Sequence, residues 1–201
     1  MTKVSKNLLF TIGPFVPILI GYFAYVTLSQ QKMDKQEPKI SSTGFDITPL
    51  TPTQIDKLYK NVSGKAFKIG KYGETERAFS KNNYYNNKDD GVYISRITKL
   101  PLFDSKHKYD SGTGWPSFYD VFDPQHISEL PDNTHGMQRI EVIESTSMHH
   151  LGHVFDDGPK PTGKRYCING YVLEFVGRNQ FNKMYGTQYL NAQITPTKEE
   201  M

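Results

Sequence analysis

Residues 8–28 read LLFTIGPFVPILIGYFAYVTL, an apolar run with no charged side chain. Its length matches the roughly 20 residues needed to cross the hydrocarbon of a bilayer. Pro14 and Pro17 would break a buried helix in water, whereas neighbouring groups in a membrane can satisfy the freed backbone. The run ends at no convincing small-x-small cleavage site. The pattern therefore predicts a flank over residues 1–7 and one uncleaved transmembrane or signal-anchor helix over 8–28. Lys3 and Lys6 favour a cytoplasmic N-terminus, with the rest of the chain on the opposite side. Residues 29–46 are polar and aperiodic and read as a linker.

The next pattern is helical. In LTPTQIDKLYKNV, residues 50–62, Thr51 suits the N-cap, Pro52 the first helical position, and Gln54 completes a capping box. Ile55, Leu58, Tyr59 and Val62 follow at i, i+3, i+4 and i+7 and form one apolar stripe. From residue 70 onward that period is lost. GVYISRIT (91–98), QRIEVIES (138–145) and RYCINGYVLEFV (165–176) are short, β-branched or aromatic, and bounded by Gly, Pro, Asn or Asp. NNYYNNKDDG and LPDNTHG between them are turn material. The expected fold is mainly β, antiparallel, with one or two helices at its start, spanning residues 47–177. The polar residues 178–201 read as a partly ordered C-terminal extension.

Composition narrows the function. The chain has 201 residues and a formal net charge of +3, enough for one domain with its own core. It has no block of five like charges, so a solvated mixed surface is expected and no nucleic-acid partner. A single cysteine, Cys167, excludes an internal disulfide framework and any multi-cysteine zinc site.

That cysteine lies in the RYCIN segment of a predicted strand. Alternation puts Arg165, Cys167 and Asn169 on one face, and a guanidinium beside a thiol favours the thiolate, which is the nucleophile. The plain alternative is a small buried hydrophobe. Two more clusters weigh against it. HHLGHVFDDGP (149–159) gathers three of the six histidines, and DSGTGWPSF (110–118) carries the only tryptophan in a loop shaped by Gly112, Gly114 and Pro116. Each has its own plain reading. His150, His153 and Asp156 could be metal ligands, though Gly152 between the histidines argues against a helical metal motif. Trp115 could be core.

DSGTGWPSF, HLGHVFDDGP and RYCIN stand in the same order, at similar distances, as in the B-type methionine-R-sulfoxide reductases, and GETERAFS (73–80) and GVYISRITKLPLF (91–103) are similar to that family's upstream segments. Three motifs in order are far more specific than one short match. The resemblance covers about residues 50–176. It implies a pair of small antiparallel sheets with the site on a concave face. It also implies thiol-dependent reduction of the R epimer of methionine sulfoxide, free or in proteins, through a sulfenic acid on Cys167. By the same resemblance His153 donates a proton to the sulfoxide oxygen with His150 beside it, Asn169 and Arg165 position and polarise the site, and Trp115 and Phe118 bind the substrate. No cofactor is expected to be bound; thioredoxin, glutaredoxin or a small thiol would act as external reductant.

The sequence departs from the family at two places. Many members hold a structural zinc with two C-x-x-C pairs; here the positions carry Ser95, Thr98, Glu144 and Ser147, and no metal is expected. Many also carry a resolving cysteine where Thr113 stands, so Cys167 has no internal thiol partner. Two other classes remain open from sequence: a non-catalytic module that binds oxidised methionine, and a histidine-based metal protein.

Overall fold

The computed structural model describes residues 37–62, 64–81 and 84–194. The expected flank (1–7) and membrane segment (8–28) lie outside the described residues. Among the described residues, no helix is long and apolar enough to cross a membrane.

The elements are α1 (Pro52–Tyr59), α2 (Gly64–Tyr72), β1 (Gly91–Ser95), β2 (Pro101–Asp104), β3 (Lys108–Tyr109), β4 (Ser117–Phe118), β5 (Ile127–Asp132), β6 (Arg139–Glu144), β7 (His150–Phe155), β8 (Arg165–Ile168), β9 (Leu173–Gly177) and α3 (Arg178–Ile194). The strands form two antiparallel sheets. One has the order β2-β1-β9 and the other β3-β4-β8-β7-β6-β5.

α1 begins as its sequence dictates. The Thr51 hydroxyl accepts from the Gln54 amide, and the Gln54 side chain accepts from the Thr51 amide, closing the capping box. The helix ends at Tyr59, so Val62 falls beyond it, and only Tyr59 of the expected stripe is fully buried. β1 stops at Ser95, three residues short of the run read from sequence. There the Ser95 hydroxyl accepts from the amides of Ile97 and Thr98 and turns the chain.

Residues 165–176 do not make one strand. β8 and β9 belong to different sheets, separated by a 3-10 turn at Gly170–Val172. All five residues of β1 are buried because its sheet is covered on both faces. Tyr93 points into the core shared by the two sheets, with Phe103, Phe118, Val142, Leu151, Val154, Tyr166 and Ile168. Val92 and Ile94 point the other way, to a second core with Phe45, Ile47, Val176 and Phe181. This is the period-2 alternation of a strand, expressed on two cores at once.

That second core corrects two boundaries. Phe45 and Ile47 are buried, and Asp123 accepts hydrogen bonds from the Ser42 hydroxyl and from the amide and hydroxyl of Thr43. Residues 38–46 are therefore docked on the domain, and the compact unit begins at Pro38. The extension expected to be partly ordered after residue 177 forms α3 as far as Ile194; this helix buries Phe181 and packs Tyr185 against Phe45.

Candidate active site

The six-stranded sheet has one face on the shared core. Phe118, Tyr166 and Ile168 face inward there and are buried. Ser117 and Cys167, one position along, must face the other way. Cross-strand register then assembles a row. Cys167 stands opposite Ser117 on β4 and opposite His153 on β7, and His153 stands opposite Glu141 on β6. Directly opposed residues on one face of antiparallel strands have Cβ atoms only about 4.5–5.5 Å apart. The nucleophile candidate and the proton-donor candidate are thus immediate neighbours, although 14 positions separate them in sequence.

His150 joins them through an irregularity. Strict alternation would put residues 150 and 153 on opposite faces. The register slips between Val142, opposite Gly152, and Ile143, opposite His150, which leaves Leu151 without a partner. Such a bulge re-aims the side chains beside it. The two imidazoles lie edge to face with centroids 5.4 Å apart. Each is oriented by its own carboxylate. His150 Nδ1 is 2.6 Å from Glu141 Oε1, and His153 Nε2 is 2.8 Å from Asp132 Oδ2. Asp132 also accepts from Arg139 and from the amide and hydroxyl of Thr134. These bonds, those from Thr134 first, hold its carboxyl well below the usual carboxylate range. Burial lowers the His150 pKa, and Glu141 opposes that only in part.

Arg165 sits two residues before Cys167 and opposite Phe155. Its guanidinium lies over the Phe155 ring, 4.3 Å from the centroid, and makes a two-pronged ion pair with Asp157 at 2.8 and 2.9 Å. The sequence suggested that this charge would favour the thiolate. It does act in that direction, as does the nearby Thr113 hydroxyl, but burial is the larger influence and the Cys167 pKa is raised above its ordinary value.

The Trp115 loop closes the other side. Gly112 and Gly114 adopt left-handed backbone angles, φ +71° and +83°. A Cβ on Gly114 would also meet the Phe79 ring at 2.6 Å. Ser111 bonds to both Thr113 (2.8 Å) and Ser117 (2.7 Å), which ties the loop to the row that holds Cys167. Trp115 is half-buried, and its indole N–H donates to the Glu76 carbonyl at 3.1 Å.

Two expectations change here. Phe118 is fully buried and stacked on Phe103 with centroids 4.4 Å apart. It belongs to the core and offers no surface to a substrate. Asn169 is also buried, and both ends of its amide are engaged. Its Nδ2 donates to the Leu151 carbonyl and its Oδ1 accepts from the Glu76 amide, each at 3.0 Å. It braces the bulge, because Leu151 is the unpaired residue there. Asp132, Glu141 and Glu76 escaped the sequence reading. The first two are recognisable only from cross-strand register, and the third lay in the GETERAFS segment with no role attached.

At Ser95, Glu144 and Ser147, hydrogen bonds close the loops. Ser95 holds its own turn, Glu144 accepts from Thr146, and His149 Nδ1 lies 3.2 Å from Glu144 Oε2 and bonds to Ser147. Among the described residues, no group of three or more His, Cys, Asp and Glu is arranged to hold a metal ion.

Comparison with known proteins adds the following. The SelR domain family matches residues 62–177. A peptide methionine sulfoxide reductase MsrB of Pseudomonas paraeruginosa is 48% identical over 124 residues, 62% of this chain and 93% of that protein. One of Methanosarcina mazei is 42% identical over 156 residues, 78% of this chain and 98% of its own length. One of Escherichia coli O45:K1 is 48% identical over 121 residues, 60% of this chain and 88% of its own.

Proposed function

The chain belongs to the SelR domain family, and from that premise and the Cys167 face we infer that it is a methionine-R-sulfoxide reductase. The observation that carries the reading is the direct opposition of His153 and Cys167 across β7 and β8, with the Trp115 loop tied to the same row through Ser117. In this reading the Cys167 sulfur attacks the sulfoxide sulfur, and the thiol proton reaches the sulfoxide oxygen through His153. An S–S bond forms as the S–O bond breaks; the protonated oxygen departs as hydroxide and attacks the Cys167 sulfur, the S–S bond breaks with methionine as leaving group, and Cys167 becomes a sulfenic acid. No net proton is consumed. The charge that grows on oxygen must be met by donors already in place, which is where enzymes gain most. Asp132 and Glu141 supply that order by fixing the two imidazoles.

The half-buried Trp115 is the apolar wall for the substrate's methyl group. Arg165, pinned to Asp157, shapes the floor beside the sulfur. Cys167 is the chain's only cysteine. Two electrons must therefore come from outside, from a thioredoxin-like protein, a glutaredoxin or a small thiol. The donor attacks the sulfenic sulfur, water leaves, and a second donor thiol completes the disulfide. The hydrogen bonds around Ser95 and Glu144 support loops closed without zinc. The uncharged run over residues 8–28, preceded by Lys3 and Lys6, supports a single-pass anchor with this domain on the side opposite the N-terminus.

The test supplies each epimer of methionine sulfoxide with dithiothreitol and a chelator present. The R epimer should be reduced and the S epimer should not. With no added thiol, release should stop after about one methionine per enzyme, since a second thiolate is required. Equal rates on both epimers, loss of activity with chelator, or many turnovers without reductant would each refute the corresponding part.

A further inference from the structure

Glu76 occupies an unusual place among the described residues. Its backbone amide donates to Asn169 Oδ1 at 3.0 Å, and its carbonyl accepts from the Trp115 indole at 3.1 Å. Its carboxylate accepts from the amides of Gly170 (2.9 Å) and Tyr171 (3.0 Å), one on each oxygen. The residue is 5% exposed. The polar groups of Glu76 are therefore spent on the two chain segments that flank the site. Trp115 belongs to the loop before β4. Asn169, Gly170 and Tyr171 belong to the turn that follows β8, the strand of Cys167.

The carboxylate anchors the arrangement. Charge-assisted bonds from backbone N–H groups are about twice as strong as neutral ones. Two of them at the start of the turn Gly170–Val172 hold Glu76 in place, and its peptide carbonyl then presents a fixed acceptor to the indole. On its other side, the Glu76 amide occupies Asn169 Oδ1. That leaves Asn169 Nδ2 to serve the Leu151 carbonyl at the bulge. One residue, through its backbone and its carboxylate together, thus ties the aromatic wall to the strand ends that bear the nucleophile and the histidines.

We propose that Glu76 is a positioning residue for substrate recognition: it clamps the Trp115 ring against the turn after Cys167 and so sets the shape of the methyl-binding wall. The proposal rests on the reading that Trp115 contacts the substrate. Glu76 itself touches no reacting atom, so its removal should act on binding and leave the chemical step largely intact.

Glu76→Gln is nearly isosteric but turns one acceptor into a donor that faces a backbone N–H. It should raise KM for the R epimer about tenfold, the equivalent of 1.4 kcal/mol, with kcat within about twofold of the parent. Trp115 is the only tryptophan, so emission reports on this ring alone and should shift to the red as the indole loses its fixed partner. Glu76→Ala should do the same more strongly. If that variant fails to fold, the Gln variant still decides. In a Trp115→Phe background, Glu76→Gln should add little further to KM, because both changes act through one contact. An unchanged KM and emission in Glu76→Gln, or a fall in kcat at constant KM, would overturn the clamp. A Trp115→Phe enzyme with unaltered KM and epimer preference would instead sink the substrate-wall reading, whatever Glu76→Gln does to the emission.

Discussion

Gly152→Ala puts the geometry of the Cys167–His153 pair under direct strain. Gly152 lies in β7 opposite Ile168, one residue before His153. A Cβ at this position would sit 2.2 Å from the Cys167 carbonyl oxygen and 2.9 Å from Ile168 Cα. Ordinary van der Waals contact begins at 3.4 Å, so the two backbones must part by roughly 1.2 Å (3.4 less 2.2 Å). Both obstructing atoms are backbone, so no flexible side chain can absorb the overlap. Overpacking of this kind costs about 1–3 kcal/mol. For a domain of this size that lowers Tm by about 2–4 °C per kcal/mol. The displaced strands carry Cys167 and His153, the two groups that meet in the proposed reaction. A misplacement near 1 Å costs on the order of 100-fold in rate, and kcat on the R epimer should fall by about that factor. Methionine release at saturating sulfoxide and dithiothreitol measures kcat, and a thermal melt measures the strain. Alkylation of Cys167 shows whether the nucleophile is still present and accessible. A variant with the lowered Tm but kcat within about threefold of the parent would refute the link between this close approach and catalysis.

Cys167 in the free enzyme should react slowly with iodoacetamide at neutral pH. Only the thiolate reacts, and burial raises the pKa, so the rate should climb with pH through a midpoint above the ordinary value of 9.0; a midpoint below 8 would show a thiolate stabilised at rest. Full-length protein should stay with membranes through alkaline carbonate, and recovery of a soluble mature chain beginning near residue 29 would replace the anchor with a cleaved leader.

The face that holds Cys167 could be read from RYCIN by alternation alone, since Tyr166 and Ile168 had to take the other side. The same alternation separates Ser117 from Phe118, and aromatic burial decides which of them faces inward. Taking Phe118 as substrate surface ignored that choice. The meeting of His150 and His153 was not legible as geometry, because a spacing of three fits a helix and fails in a strand unless a bulge intervenes. That bulge depends on pairing with β6. Asp132 lay in a stretch that reads as turn, and Glu141 in a strand face of unknown partner. The break between β8 and β9 did have a local signal: Asn169-Gly170 is a strong turn dipeptide, overlooked inside an otherwise apolar run. α3 was missed because its sequence is rich in Asn and Gln. The pair Phe181 and Tyr185, one helical turn apart, carries its packing.

The strand order β3-β4-β8-β7-β6-β5 has a consequence for how the chain matures. The β3–β4 hairpin and the β5–β6–β7 meander are complete in sequence before residue 160, yet they share no ladder until β8 slides between them. A nascent or C-terminally shortened chain would expose two raw strand edges, on β4 and on β7, each a template for unwanted pairing. Closing the gap joins Ser117 to Cys167 across about fifty residues, a contact of the kind that slows folding. The segment that seals the sheet is also the one that carries the thiol. Cys167 acquires His153 and Ser117 as neighbours in the same event that removes both edges, so the gain of sulfoxide-reducing competence marks the moment the sheet becomes continuous.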